Sequence, residues 1–173
     1  MKRPYFTLPL LMVVCMLLGC GQRLPKDLPP LYPCTLLIAQ NGVPLERAAI
    51  ILEYVEGTVP AGGQIWFPQG VTDKNGNATI RTNGRYDGAP LGRFKIVVTK
   101  LEPDYSRLGP QPSEDDPKYD AWMNRKGTED FPIFLLVEKQ YTESATTPLE
   151  IEINKGKNEA AVDVGKPARY LMQ

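Results

Sequence analysis

The chain has 173 residues, with 20 basic side chains balanced by 20 acidic ones and no histidine. Balanced charge excludes the broad basic field that draws nucleic acid. The lack of histidine removes Ser-His and Cys-His catalytic pairs and the commonest transition-metal ligand. Seventeen prolines and 15 glycines suit many turns between short strands better than long helices.

At the N-terminus Lys2 and Arg3 precede an uninterrupted apolar run from Leu10 to Leu18, too short to span a bilayer as a helix. That is the pattern of a signal peptide. The run ends in Leu17-Leu18-Gly19-Cys20, which resembles the bacterial lipobox. The resemblance implies a lipoprotein: residues 1–19 are removed and Cys20 becomes the acylated first residue, its thiol carrying lipid. The alternative is a plain secretory signal in which Cys20 is incidental. Each buried methylene of an acyl chain contributes about 0.8 kcal/mol, and two or three chains make anchoring stable. Gly21 follows Cys20 where an inner-membrane protein would carry Asp, which by the same resemblance implies the outer membrane of a Gram-negative cell. Cys15 then leaves with the leader and Cys20 is taken by lipid. Cys34 therefore has no partner within the chain, and an internal disulfide is excluded. Loss of Lys2 and Arg3 leaves a mature net charge of −2, so no polybasic membrane-binding patch is implied.

Residues 20–33 are polar and proline-rich, an extended tether between the lipid and the domain at 34–173. Cys34 to Gln40 places Cys34, Leu36 and Ile38 on one face of a first strand, where a buried structural thiol is expected. Asn41-Gly42 signals a hairpin. Ala48 to Val55 reads as a second strand with Ile50, Leu52 and Tyr54 in phase, and Gly57 to Gly63 as a flexible loop. Gln64 to Phe67 is read as a short third strand. In Thr72-Asp73-Lys74-Asn75-Gly76-Asn77 the side chains hydrogen-bond their own backbone and the glycine accepts positive φ, so the chain turns. Ala78, Ile80 and Thr82 then share a face. Phe94, Ile96 and Val98 alternate with Arg93, Lys95 and Thr99, the period of a half-buried strand, with Val97 the one apolar exception. A negative charge at position 95 should therefore be tolerated, and one at position 96 should not.

The order of these signals, Asn41-Gly42-x-Pro44-Leu45, Gly70-x-Thr72-Asp73-x-Asn75-Gly76 and Gly92-Arg93-Phe94-Lys95-x-x-Val98, resembles the carboxypeptidase regulatory-like, transthyretin-like domains. With Tyr141-Thr142, Thr147-Pro148-Leu149 and Gly156-Lys157-Asn158, it is similar to lipoproteins of this class in planctomycete-like bacteria. The resemblance implies an all-β fold, a seven-stranded antiparallel Ig-like, prealbumin-like sandwich. The hydrolases and iron dioxygenases of related fold depend on histidine, so neither activity carries over.

Residues 101–132 interrupt the strand pattern as one partly helical insertion. Ser113 to Pro117 offers capping side chains and early acids, and Lys118 to Arg125 reads as two helical turns. Tyr119, Trp122 and Met123 share a helix face and are the candidate binding residues, with packing of Trp122 onto the sandwich as the alternative. Phe131 to Val137 is an apolar run. Leu149, Ile151 and Ile153 alternate with Glu150 and Glu152, and Gly156-Lys157-Asn158 is read as the turn of a hairpin with Glu159 to Val164.

No catalytic residue, cofactor or metal ligand is assigned. Asp73, Asn75 and Asn77 alternate like the start of a calcium loop, but Gly76 falls at the fourth position rather than the sixth. Glu114, Asp115 and Asp116 are sequence neighbours whose side chains point apart. The expected function is a lipid-anchored, non-catalytic envelope module that binds protein or glycan. The alternatives are a carboxylate-based hydrolase using Asp115 and Glu129, and an accessory subunit of an envelope secretion or surface-layer assembly.

Overall fold

The computed structural model describes residues 25–55 and 65–172; Cys20, the leader and the loop from Gly57 to Gly63 lie outside them. The described residues are mostly strand. In chain order these are β1 (Leu31–Tyr32), β2 (Cys34–Gln40), β3 (Val43–Pro44), β4 (Ala49–Tyr54), β5 (Pro68–Val71), β6 (Asn77–Thr79), β7 (Arg81–Thr82), β8 (Tyr86–Asp87), β9 (Ala89–Pro90), β10 (Gly92–Thr99) and β11 (Leu101–Pro103). After helix α1 (Tyr119–Thr128) come β12 (Ile133–Leu135), β13 (Glu150–Ile153), β14 (Asn158–Asp163) and β15 (Tyr170–Met172). Short 3-10 turns occupy Tyr105–Leu108 and Lys139–Tyr141.

Two sheets enclose the core. One has the order β13-β10-β4-β5-β7-β8, and the other the order β14-β2-β3 with β6 also paired to β2. Leu36, Ile38, Ile50, Leu52, Phe94, Ile96, Val98 and Ile153 are all buried in one cluster, against which Ile151 packs partly buried. Their alternation is the reason: side chains two apart along a strand project to one face, and that face is the one turned from water. Val97 points to the opposite face and is buried as well. Cys34 lies in the core as a free thiol, and burial pushes its pKa up to about 11, so it stays protonated.

The turns follow their chemistry. Asn41 and Gly42 both take positive φ, 51° and 76°, in a two-residue hairpin between β2 and β3. Asp73 Oδ1 accepts from the N–H groups of Asn75 at 2.8 Å and Asn77 at 2.9 Å, closing the turn between β5 and β6. Gly76, at φ 77°, leaves no room for a Cβ, which would strike the carbonyl oxygen of Ile38. At Ile80 the chain changes sheets: β6 pairs with β2, whereas β7 pairs with β5. Gly70 lets β5 press against this crossing strand, since a Cβ there would come within 3.0 Å of the Thr79 carbonyl oxygen.

Several sequence expectations need correction. The strand expected from Gln64 to Phe67 is found at Pro68–Val71, as β5, and Gln64 lies outside the described residues. Asn83 closes the ladder by accepting from Phe67 N–H at 3.1 Å and donating its own N–H to Phe67 O at 2.8 Å, so pairing starts at Pro68. Gly156-Lys157-Asn158 does not join a hairpin, because β13 pairs with β10 in one sheet and β14 pairs with β2 in the other. The Asn158 side chain accepts from Asn154 N–H at 2.9 Å and donates to Asn154 O at 3.0 Å. It thereby supplies hydrogen bonds that a hairpin partner would have made. Having crossed over, β14 runs parallel to β2, so pairing is not antiparallel throughout. The tether is not free to its end, since β1 pairs with β9. Leu101–Pro103 belongs to a three-stranded sheet of order β11-β12-β15, and only the residues between β11 and β12 form the insertion proper.

The registers fix two ends. The chain enters the sheets where Cys34 faces Asn158 and where Gly92 faces Ile153. It leaves for the insertion at the other end, where Thr99 faces Ala49. The eight residues of β10 separate these ends by roughly 25 Å at about 3.3 Å per residue.

Candidate functional site

The insertion folds on itself. Tyr105 and Phe131 meet edge to face with ring centroids 5.0 Å apart, which draws the two ends of the loop together. The Arg107 guanidinium lies 5.6 Å from the Phe131 ring and donates to Asp130 O at 2.7 Å. Asp104 starts the first 3-10 turn by accepting from Ser106 N–H at 3.0 Å. That hydrogen bond, reinforced by Arg169, holds the Asp104 carboxyl below its ordinary pKa.

Helix α1 has no buried residue and carries Gly127 inside its last turn, so propensity and burial do little to hold it. Asp116 Oδ1 accepts from Lys118 N–H at 2.8 Å just before the helix, and Asp120 sits in its first turn with Arg125 and Lys126 in its last. These charges oppose the helix dipole. Lys126 makes the tertiary contact. Its ammonium lies 4.8 Å from the Tyr105 ring and 5.2 Å from the Trp122 ring, bridging the helix to the first 3-10 turn.

The three candidate binding residues do lie on this helix. Tyr119 and Trp122 are half-buried and Met123 is 41% exposed. Trp122 is absent from the core cluster, so it does not staple the insertion to the sheets. Its indole N–H is buried with no acceptor among the described residues. A donor left in that state costs about 1–3 kcal/mol. Lys126, Tyr105 and Phe131 were not singled out from the sequence, although Lys126 falls four residues after Trp122 and so on the same helix face.

The carboxylates are engaged elsewhere. Glu129 accepts from Arg125 at 2.7 Å, and that pairing holds its pKa below the ordinary glutamate value, the opposite of what a general acid needs. Asp115 is exposed in the turn before the helix. A concavity of about 630 Å³ on the outer face of the six-stranded sheet is floored by Ala49, Ile51 and Val71. Its charged neighbours are spoken for: Asp73 closes its turn, and Arg81 pairs with Asp87 at 2.9 Å. No protein-family model, curated protein or solved structure matches this chain.

Proposed function

We propose that this chain is a lipoprotein of the bacterial envelope, acylated at Cys20, whose transthyretin-like β-sandwich is a non-catalytic module. It holds a binding surface away from the membrane. The ligand class is a protein or a glycan, contacted through Tyr119, Trp122 and Met123. One observation carries this reading: the self-packed insertion leaves the sheets at the end opposite the tether's entry, with an unsatisfied indole donor in its helix. A ligand acceptor for Trp122 Nε1 would recover the desolvation cost of that donor on binding. The lipobox supports the anchor, and Gly21 after Cys20 supports the outer membrane as its location. The low pKa of Glu129 weighs against the carboxylate hydrolase.

The test has two parts. Intact mass of the membrane-extracted protein should show acyl chains on Cys20 and no residues 1–19; an unmodified species beginning elsewhere removes the anchor. Gentle extraction from the native membrane should copurify a partner or glycan with the wild type and lose it with Trp122→Ala. Retention of the same partner by Trp122→Ala would dismiss the insertion as the binding surface.

A further inference from the structure

The sequence holds three Asn-Gly pairs, at 41–42, 75–76 and 83–84. An asparagine followed by glycine can close on itself: the glycine nitrogen, freed of its proton, attacks the asparagine Cγ, and no Cβ on the glycine hinders the approach. Three equal signals in the sequence become unequal in the fold.

What differs is how each glycine N–H is held. Gly42 N–H donates to the Asp163 carboxylate at 2.7 Å, a charge-assisted bond that keeps the proton on nitrogen. Gly76 is buried, and its N–H donates to Asp73 O at 2.9 Å. Gly84 is exposed, and its N–H reaches Arg81 O only at 3.4 Å, past the usual range for such a bond. Backbone conformation does not account for the contrast between the first pair and the last, because both take the left-handed region. There φ is 51° and 76° at Asn41 and Gly42, and 52° and 68° at Asn83 and Gly84. Asn83 carries one further contact: its Oδ1 accepts from Phe67 N–H at 3.1 Å, which polarises the Cγ carbonyl and favours the charge that attack places on that oxygen.

We propose that Asn83 is a site of spontaneous deamidation in the folded protein, selected by its loosely held glycine N–H. The Gly84 nitrogen loses its proton to solvent and bonds to Asn83 Cγ. The bond from Cγ to Nδ2 then breaks, and ammonia leaves after taking one proton back from solvent, so that an imide ring closes. Water opens the ring. Cleavage between Cγ and the nitrogen leaves an aspartate at position 83 with the backbone unchanged, whereas cleavage at the main-chain carbonyl carbon routes the chain through Cγ as an isoaspartate, one methylene longer. Either product adds a negative charge. Gly84 lines the concavity on the outer face of the six-stranded sheet, so the new charge arises at its rim, near the Arg81–Asp87 pair.

The experiment incubates the full chain, in detergent and mildly alkaline buffer, and follows all three pairs by peptide mapping with mass spectrometry. Water enriched in heavy oxygen marks each residue hydrolysed during the incubation. Asn83 should convert first, and Asn41 should lag by roughly tenfold or more, because its glycine must first give up a hydrogen bond to a carboxylate. In guanidinium, where the fold no longer distinguishes them, the three rates should converge. Asp163→Ala frees the Gly42 N–H and should raise Asn41 towards the rate of Asn83 while leaving Asn83 unchanged, provided that its melt shows a folded chain; the wild-type comparison decides if it does not. Conversion of Asn41 or Asn75 as fast as Asn83 in the folded wild type overturns the proposal. So does an Asn83 that persists while the unfolded chain loses it, and so does an Asn41 rate indifferent to Asp163→Ala in a folded variant.

Discussion

Ile96 and Trp122 are both large apolar side chains in predicted amphipathic segments, yet they lie in regions held together by different means. Around Ile96 two sheets close over one core, and each buried strand residue meets others from both sides. Around Trp122 a ten-residue helix with no buried residue rests on a 3-10 turn through a lysine and two aromatic rings. A single shared core should make the body unfold as one cooperative unit, whereas a helix with no buried residue has the few buried contacts expected of a segment that opens locally. The difference teaches that an aromatic at helical spacing signals burial only where enough apolar area lies behind it.

Substitutions can break or sharpen that contrast. The largest effect is expected for Ile96→Asp, which buries a charge with no partner in the core. The cost is several kcal/mol against a total stability of about 5–15 kcal/mol. Circular dichroism should show an unfolded chain, and a cooperative melt would mean that the strand register is off by one. Next comes Gly76→Ala. The turn demands φ 77° and the Ile38 carbonyl blocks the new methyl, so a loss of about 1–3 kcal/mol is expected from denaturant midpoints.

Lys95→Asp sharpens the reading of the outer face. From the sequence alone this exposed position should tolerate a negative charge, but Lys95 pairs with Glu150 at 2.7 Å and lies opposite Glu53 on β4. An aspartate would gather three carboxylates, and a loss of about 1 kcal/mol is expected; Lys95→Gln should lose less. An unchanged melt for Lys95→Asp would show that the pair with Glu150 contributes nothing.

Trp122→Ala should move the cooperative melt by less than about 1 kcal/mol, although such truncations in cores cost about 3–5 kcal/mol. Trp122→Phe removes the unsatisfied donor and should leave the melt unchanged or raise it slightly, by no more than the cost of that donor. A collapse of either variant would make the insertion part of the body.

The smallest effect concerns pH. Asp163 Oδ2 accepts from Gly42 N–H at 2.7 Å, and its Oδ1 accepts from Asn41 N–H at 3.0 Å and Gly165 N–H at 2.8 Å; these bonds hold its pKa below the ordinary value. Lys95 and then Arg93 do the same for Glu150. A pKa lower in the folded than in the unfolded state adds stability that is full above the unfolded value. That value is near 4, and the stability is lost as pH falls through the folded one. Denaturant midpoints between about pH 2 and 6 should therefore fall less steeply on acidification in Asp163→Asn and Glu150→Gln than in the wild type. Slopes identical to the wild type would show that neither carboxylate tightens on folding.

Local chemistry was legible in the sequence. Alternation placed Leu36, Ile50, Leu52, Phe94, Ile96, Val98 and Ile153 in the core, because a strand's period is set by backbone geometry and the apolar face must leave water. Asn41-Gly42 and the turn from Asp73 to Asn77 were legible for a similar reason, since positive φ and side-chain to backbone hydrogen bonds act within a few residues. What crosses between sheets was not. Gly156-Lys157-Asn158 has the composition of a hairpin, but whether its flanking strands pair depends on which edges are open elsewhere, and β10 and β2 took one each. The edge strand β15 has no alternation to mark it, and its pairing exists only because β12 lies beside it. Trp122 shows the same division at the candidate site: spacing set its helix face, and only the folded chain decided that Tyr105 and Lys126, and not the core, would meet it.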